Sequence, residues 1–198
     1  MSREASKFRS CFGELEKRVF IGKGIDIGCG EDPIRPDVYR FDEKEGDANE
    51  ISRYIHETFD YVFSSHCLEH MHDPSHALRE WWKLVKPGAY LCITVPDEDL
   101  YEQGNWPSRF NGGHKHTFTI HKPRSWSPVS INVVDLIAAL KNAKIWKIEL
   151  QDRGYDYSLL GKNIDQTKGE AMAQICFILQ KEEEEKAGTK ARMAETKR

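Results

Sequence analysis

"GIDIGCGEDPIRPD", residues 24–37, decides the fold. Its first four residues form a short apolar run that suits a buried strand. Gly28-Cys29-Gly30 then allow the backbone to approach a ligand closely. In a dinucleotide-binding turn, a third glycine would follow and a helix would open, its N-terminus carrying the pyrophosphate. Here Pro33 and Pro36 block that helix, and a new apolar-aromatic run, "VYRFD", has begun by Val38. A pyrophosphate would lose much of its support at such a turn. A ligand without phosphates would lose less.

Further strands follow on both sides of this segment. "FDYVFSSH" (59–66), "AYLCITVP" (89–96), "KIWKIELQ" (144–151) and "AQICFILQK" (173–181) are β-branched and aromatic runs. Between them lie helical patterns. Residues 3–19 space Phe8, Phe12, Leu15 and Val19 for an entry helix. Asp73-Pro74 supplies a capping carboxylate and an N1 proline, and Leu78, Trp81, Trp82 and Val85 recur at helical spacing until Pro87-Gly88. Residues 131–142 read as a last helix. Strands alternating with helices predict an α/β sandwich with a mostly parallel sheet, whose ligands bind beyond the carboxyl ends of the strands. Residues 97–128 are too long and too aromatic for an idle connector, whereas 182–198 form a charged tail with little to bury, leaving one domain over 1–181.

Composition narrows the partners. The 198 residues carry 29 basic and 32 acidic side chains, a net charge of −3, so nothing draws the whole molecule to nucleic acid or anionic membrane. No apolar run reaches the roughly 18 residues of a membrane span, and the N-terminus lacks the apolar core of a secretion signal. Five scattered cysteines without a CxxC pair read as reduced thiols of a cytoplasmic protein, with Cys92 and Cys176 packed inside strands.

S-adenosylmethionine is a phosphate-free ligand that needs a ribose anchor and an adenine slot. Asp42 ends the second strand, where a carboxylate can accept from ribose hydroxyls; Asp47 in "GDANE" can accept from an adenine amino group, with Ala48 beside the ring. The ordered set "GIDIGCG", "FD", "GDANE", "FDYVFSSHCLEHMHDP" and "LVKPGAYLCITVP" resembles the class I S-adenosylmethionine-dependent methyltransferases. It looks most like their compact, methyltransferase-11-like subgroup with a shortened first crossover. The likeness runs from about Gly22 to Pro96 and more loosely to Lys181; Asp32 departs from it, standing where a third glycine is usual. It implies a Rossmann-like sandwich, a seven-stranded sheet with the last strand antiparallel, and S-adenosyl-L-methionine as cofactor. Carried over by position, Asp26, Gly28, Cys29 and Gly30 would shape the turn at the methionine part. Asp42 would bind ribose, Asp47 and Ala48 would border adenine, and Ser64, Ser65 and His66 would lie along the opposite side.

Methyl transfer needs a base only where the acceptor loses a proton, and the candidates are His66, His70, His114 and His116. His114 and His116 stand two apart in a loop; without a defined third ligand they do not make a metal site, and no metal is expected. "SSHC" occupies the place where base-amine methyltransferases resemble one another in a [DN]PP[YF] motif, which favours a small-molecule or glycan acceptor over nucleic acid. The segment 99–119 also loosely resembles inserts in polysaccharide-associated methyltransferases. An O-methyltransferase with residues 97–121 as a lid is the leading expectation. The alternatives are an inactive methyltransferase-like binding protein and a nicotinamide-dependent oxidoreductase.

Overall fold

The computed structural model describes residues 3–183. Its centre is a six-stranded sheet built from β1 (Gly24–Ile27), β2 (Tyr39–Phe41), β3 (Phe59–Ser65), β4 (Val85–Pro96), β7 (Ala143–Gln151) and β8 (Gln174–Lys181), in the spatial order β2-β1-β3-β4-β8-β7. The first four run parallel, with Ile25 between Tyr39 and Val62. Only β8, the last strand, runs antiparallel to its neighbours, as the resemblance implied. The strand count is a correction: six, where seven were expected. Residues 42–58 hold a 3₁₀ turn, Ala48–Arg53, and then enter β3 directly. That stretch is too short for an outer strand with flanking helices, so β2 becomes the sheet edge.

Period-2 alternation splits the side chains between two faces. Tyr61, Phe63, Cys92, Cys176 and Ile178 meet Phe8, Val19 and Phe20 from α1 (Glu4–Arg9) and α2 (Glu14–Val19). Phe8 stacks on Phe63 with ring centroids 5.6 Å apart. The expected single entry helix is broken in two at Gly13, whose N–H donates to the Glu16 carboxylate at 2.9 Å and starts α2. On the other face Val62, Leu91, Ile93 and Phe177 pack beneath α3 (Pro74–Lys83) and α4 (Val133–Ala138). Asp73 caps α3 by accepting from the His76 N–H at 3.0 Å, an arrangement worth about 1 kcal/mol. Trp81 is fully buried and its indole N–H donates to the Ala48 carbonyl at 2.8 Å, tying α3 to the turn after β2.

The segment after β4 is more ordered than its composition suggests. A π-type turn spans Glu98–Glu102, and a separate parallel ladder pairs β5 (Thr117–Thr119) with β6 (Ser130–Asn132). Because β6 takes up residues 130–132, α4 is shorter than the 131–142 helix expected. Phe118 is wholly buried. No helix among the described residues is long and apolar enough to cross a membrane. Most of the charged tail expected over 182–198 lies outside the described residues.

Candidate active site

The cofactor side is built from chain segments that leave neighbouring parallel strands. Gly28 follows β1 with φ of 73°, and a Cβ there would lie 2.6 Å from the Cys67 sulfur, so only glycine fits. The Gly30 N–H donates to Asp42 Oδ2 at 2.7 Å, and Asp42 Oδ1 accepts from the Glu43 N–H at 2.9 Å. Asp42 thereby joins the ends of β1 and β2 while keeping lone pairs free for hydroxyl groups. Asp47 accepts from the backbone and side-chain N–H groups of Asn49 at 2.9 and 2.7 Å, which turns the chain just before Ala48. Gly28, Asp42, Asp47, Ala48, Asn49 and His66 line a cavity of about 780 Å³.

Asp26 does not reach this cavity. It is buried, and its Oδ2 accepts from the Ile34 N–H at 2.7 Å, so it holds the short crossover from inside. Burial pushes its carboxyl up to about 7, against the opposing pull of that hydrogen bond. Ser64 is also buried, donating to the Ile27 carbonyl at 2.8 Å, while Ser65 accepts from the Thr94 hydroxyl at 2.8 Å. These three support the turn from behind. Cys29 and Gly30 stand beside Asp42 without lining the cavity.

Across the opening, β3 is followed by His66, at φ 52°. A chain of hydrogen bonds fixes its ring. Glu149, a carboxylate, can only accept, so the amide of Gln151 donates to it at 2.8 Å and presents its oxygen to Gln174 Nε2 at 2.8 Å. Gln174 Oε1 then accepts from His66 Nε2 at 2.7 Å. His66 therefore carries its proton on Nε2 and keeps a lone pair on Nδ1. His66 and His70 line both the cofactor cavity and a second cavity of about 780 Å³. That second cavity also receives Glu4 and Lys7 of α1, Tyr101, Asn111, His114, Asp165 and residues 167–170.

The segment after β4 reaches the site because the Glu69 carbonyl accepts from the N–H groups of Lys115 and His116 at 2.9 and 3.2 Å. This clamp sets His114 against the loop that follows β3. His114 is buried, with Nδ1 2.7 Å from Glu102 Oε1 and its ring edge-on to His70 at 5.0 Å between centroids. His116 is not brought to this cluster; its Nε2 lies 3.3 Å from the His72 carbonyl. Neither Glu69 nor Glu102 is among the site residues expected from the sequence. Glu69 had a local signal, since it sits between two candidate histidines. Glu102 had none, because its position depends on the π-type turn.

The family model of the methyltransferase domain matches residues 7–126 of this chain. Solved structures of the same architecture agree over nearly the whole length. An S-adenosylmethionine-dependent methyltransferase from Clostridium acetobutylicum aligns at 10% identity and a TM-score of 0.55, covering 91% of this chain and 92% of that one. A putative S-adenosylmethionine-dependent methyltransferase from Listeria monocytogenes aligns at 11% identity and 0.55, covering 90% and 99%. A possible histamine N-methyltransferase from Thermotoga maritima aligns at 16% identity and 0.51, covering 91% and 88%. With a phosphate-free turn, a strand-end carboxylate and a second cavity beyond the first, this chain belongs to the methyltransferase domain family and is an S-adenosylmethionine-dependent methyltransferase.

Proposed function

We propose that the enzyme methylates an oxygen of a small polar acceptor, a sugar or glycan in the first place. The observation that carries this reading is the meeting of two cavities at His66 and His70. One suits the cofactor, held by the Gly28–Gly30 turn, Asp42, Asp47 and Ala48. The other takes the acceptor, and its mixed lining of Arg3, Lys7, Glu4 and Asn111 favours a polar molecule. The whole of 1–181 acts as one domain, with residues 97–128 as the acceptor-side wall. All five cysteines are free thiols, which suits work in a reducing cytoplasm.

The chemistry is an in-line displacement. An acceptor oxygen attacks the sulfonium methyl carbon, the carbon–sulfur bond breaks, and its electron pair stays on sulfur as S-adenosylhomocysteine forms. Holding the two reactants in line supplies much of the rate, up to roughly 7–11 kcal/mol in well-oriented systems. The hydroxyl proton passes to His66 Nδ1, whose lone pair the Glu149–Gln151–Gln174 chain preserves beside the Glu69 carboxylate, 3.7 Å away. Incubation with methyl-labelled cofactor and a panel of sugars, glycans, amines and thiols tests the assignment. Label on a hydroxyl oxygen is expected; label confined to nitrogen or sulfur acceptors ends it. Tight cofactor binding with no labelled product across the panel would instead mark an inactive binding protein.

A further inference from the structure

We propose that Glu69, His70 and His114 bind a divalent transition-metal ion of the zinc class, with a coordination position left open toward the acceptor cavity. One ligand atom from each of these residues can be chosen so that all lie within 4.8 Å of one another. Glu69 Oε1 stands 3.9 Å from His70 Nε2 and 3.8 Å from His114 Nε2.

The protons around these atoms explain why something positive belongs between them. His114 Nδ1 faces the buried carboxylate of Glu102, so it donates there and Nε2 carries the lone pair. His70 Nδ1 lies 2.9 Å from the Gly113 carbonyl, again an acceptor, so its Nε2 is also a lone-pair nitrogen. Both lone pairs converge on a carboxylate that is fully buried and has no hydrogen-bond partner on either oxygen. The Nδ1 lone pair of His66 stands a further 3.7 Å from Glu69 Oε1; acceptors facing one another without a donor repel, and an unpaired buried charge is costly. A nearby carboxylate shows what satisfaction looks like. Glu98, just as buried, accepts from Thr117, Ser125, Ser130 and Lys122 at 3.1, 2.7, 2.5 and 2.9 Å. Glu69 has the same need and none of these partners.

The donor set selects the ion. Two imidazoles with one carboxylate are the ligands of a three-residue zinc site that keeps a place for water or substrate. Hard ions such as Mg²⁺ prefer oxygen ligands throughout. Bonds of about 2.0–2.1 Å in a tetrahedron put ligand atoms roughly 3.3 Å apart, so the contacts to Glu69 need to close by only about half an ångström. Glu102 on His114 and the Gly113 carbonyl on His70 are the outer hydrogen bonds that orient metal-binding imidazoles. An acceptor hydroxyl on the open position would lose its proton more readily, and His66 Nδ1 would take it. That last step rests on the proposed transfer to oxygen; the metal site itself does not.

The test is calorimetric titration of Zn²⁺ into the chelator-treated full chain, with Co²⁺ absorption as a spectroscopic check. One equivalent should bind, unaffected by excess Mg²⁺. Glu102→Gln should weaken it by about 10–100-fold, and His70→Ala, His114→Ala or Glu69→Gln by more. His70 has a partly exposed side chain, so its variant should melt near wild type and report binding even if the buried variants misfold. Wild-type uptake no greater than that of His70→Ala overturns the proposal. So does an NMR finding that the histidines are imidazolium at neutral pH and exclude Zn²⁺, which would make protons the missing charge. Zinc binding without transfer to oxygen acceptors leaves the site standing and removes only the acceptor assignment.

Discussion

The two cavities share His66 and His70 but are made in opposite ways. On the cofactor side the polar groups that line the cavity come from residues 42–49 and are already hydrogen-bonded, Asp42 to Gly30 and Glu43 and Asp47 to Asn49; behind them Asp26 accepts from Ile34 with one oxygen and leaves the other, buried, without a partner. On the acceptor side the groups come from α1, the end of β3, residues 101–114 and residues 165–170, and buried carboxylate oxygens of Glu69 and Glu102 are left without partners. A site finished before its ligand arrives suits a cofactor common to a whole family. A site with open polar groups suits an occupant particular to this protein.

The comparison can be broken most severely at His66. His66→Asn keeps a residue type that tolerates the left-handed backbone there but removes the imidazole base. Turnover at saturating cofactor should fall by about 10²–10⁴-fold, while calorimetric cofactor affinity stays close to wild type. Equal losses in both would mean that the ring serves the cofactor cavity.

Asp26 tests whether the cofactor side is held from behind. Its folded carboxyl is raised to about 7 from the ordinary 3.8, so the folded state binds the proton more tightly than the unfolded chain. The contribution of Asp26 to stability is therefore greatest below pH 4, falls as pH rises from 4 to 7, and levels off above 7, against the opposite slope of the carboxylates whose partners hold them low, such as Asp32 and Asp60. Asp26→Asn mimics the protonated form. It should remove that slope and stabilise the protein at pH 8 by roughly 2–4 kcal/mol in urea melts. An unchanged slope would show that Asp26 is not the group responsible.

Asp42→Ala should weaken cofactor binding by about 1.5–3 kcal/mol, the range for hydrogen bonds to a charged group. Unaltered affinity by calorimetry would take Asp42 out of the site. His116→Ala is the smallest expected change. Its ring contacts only the His72 carbonyl among the polar groups around it, so melting and turnover should stay within about 0.5 kcal/mol of wild type. A turnover loss as large as that of His66→Asn would mean that the segment closes further than the structure shows.

Legibility in the sequence follows the same division. Gly28 and Asp42 stand just after strands, and Asp47 and Ala48 open the turn that follows the second, so recognising the strands led to four residues that line one cavity. His66 and His70 were within reach for the same reason. The alternating His114 and His116 could not be ranked, because the choice depends on the clamp of the Glu69 carbonyl on Lys115 and His116, 46 and 47 residues further along the chain. Glu102 needed the π-type turn, and α1 needed the docking of Phe8 on Phe63. The seventh strand was expected from the family likeness alone, although the brevity of residues 42–58 argued against it.

Losing that strand changes how the molecule keeps to itself in solution. The exposed rim at β2 is only three residues long and carries Arg40, too short a template for another chain to pair with. The opposite rim, β7, is nine residues long and exposes Ile145, Trp146 and Leu150. It is interrupted by a register shift between Ile145 and Lys147, with Lys144, Lys147 and Glu149 interleaved among the apolar residues. The Arg18 guanidinium covers Trp146 at 4.6 Å from the ring centre. A bent, charged rim under an arginine discourages edge-to-edge aggregation, so a fold trimmed to six strands stays protected at both ends.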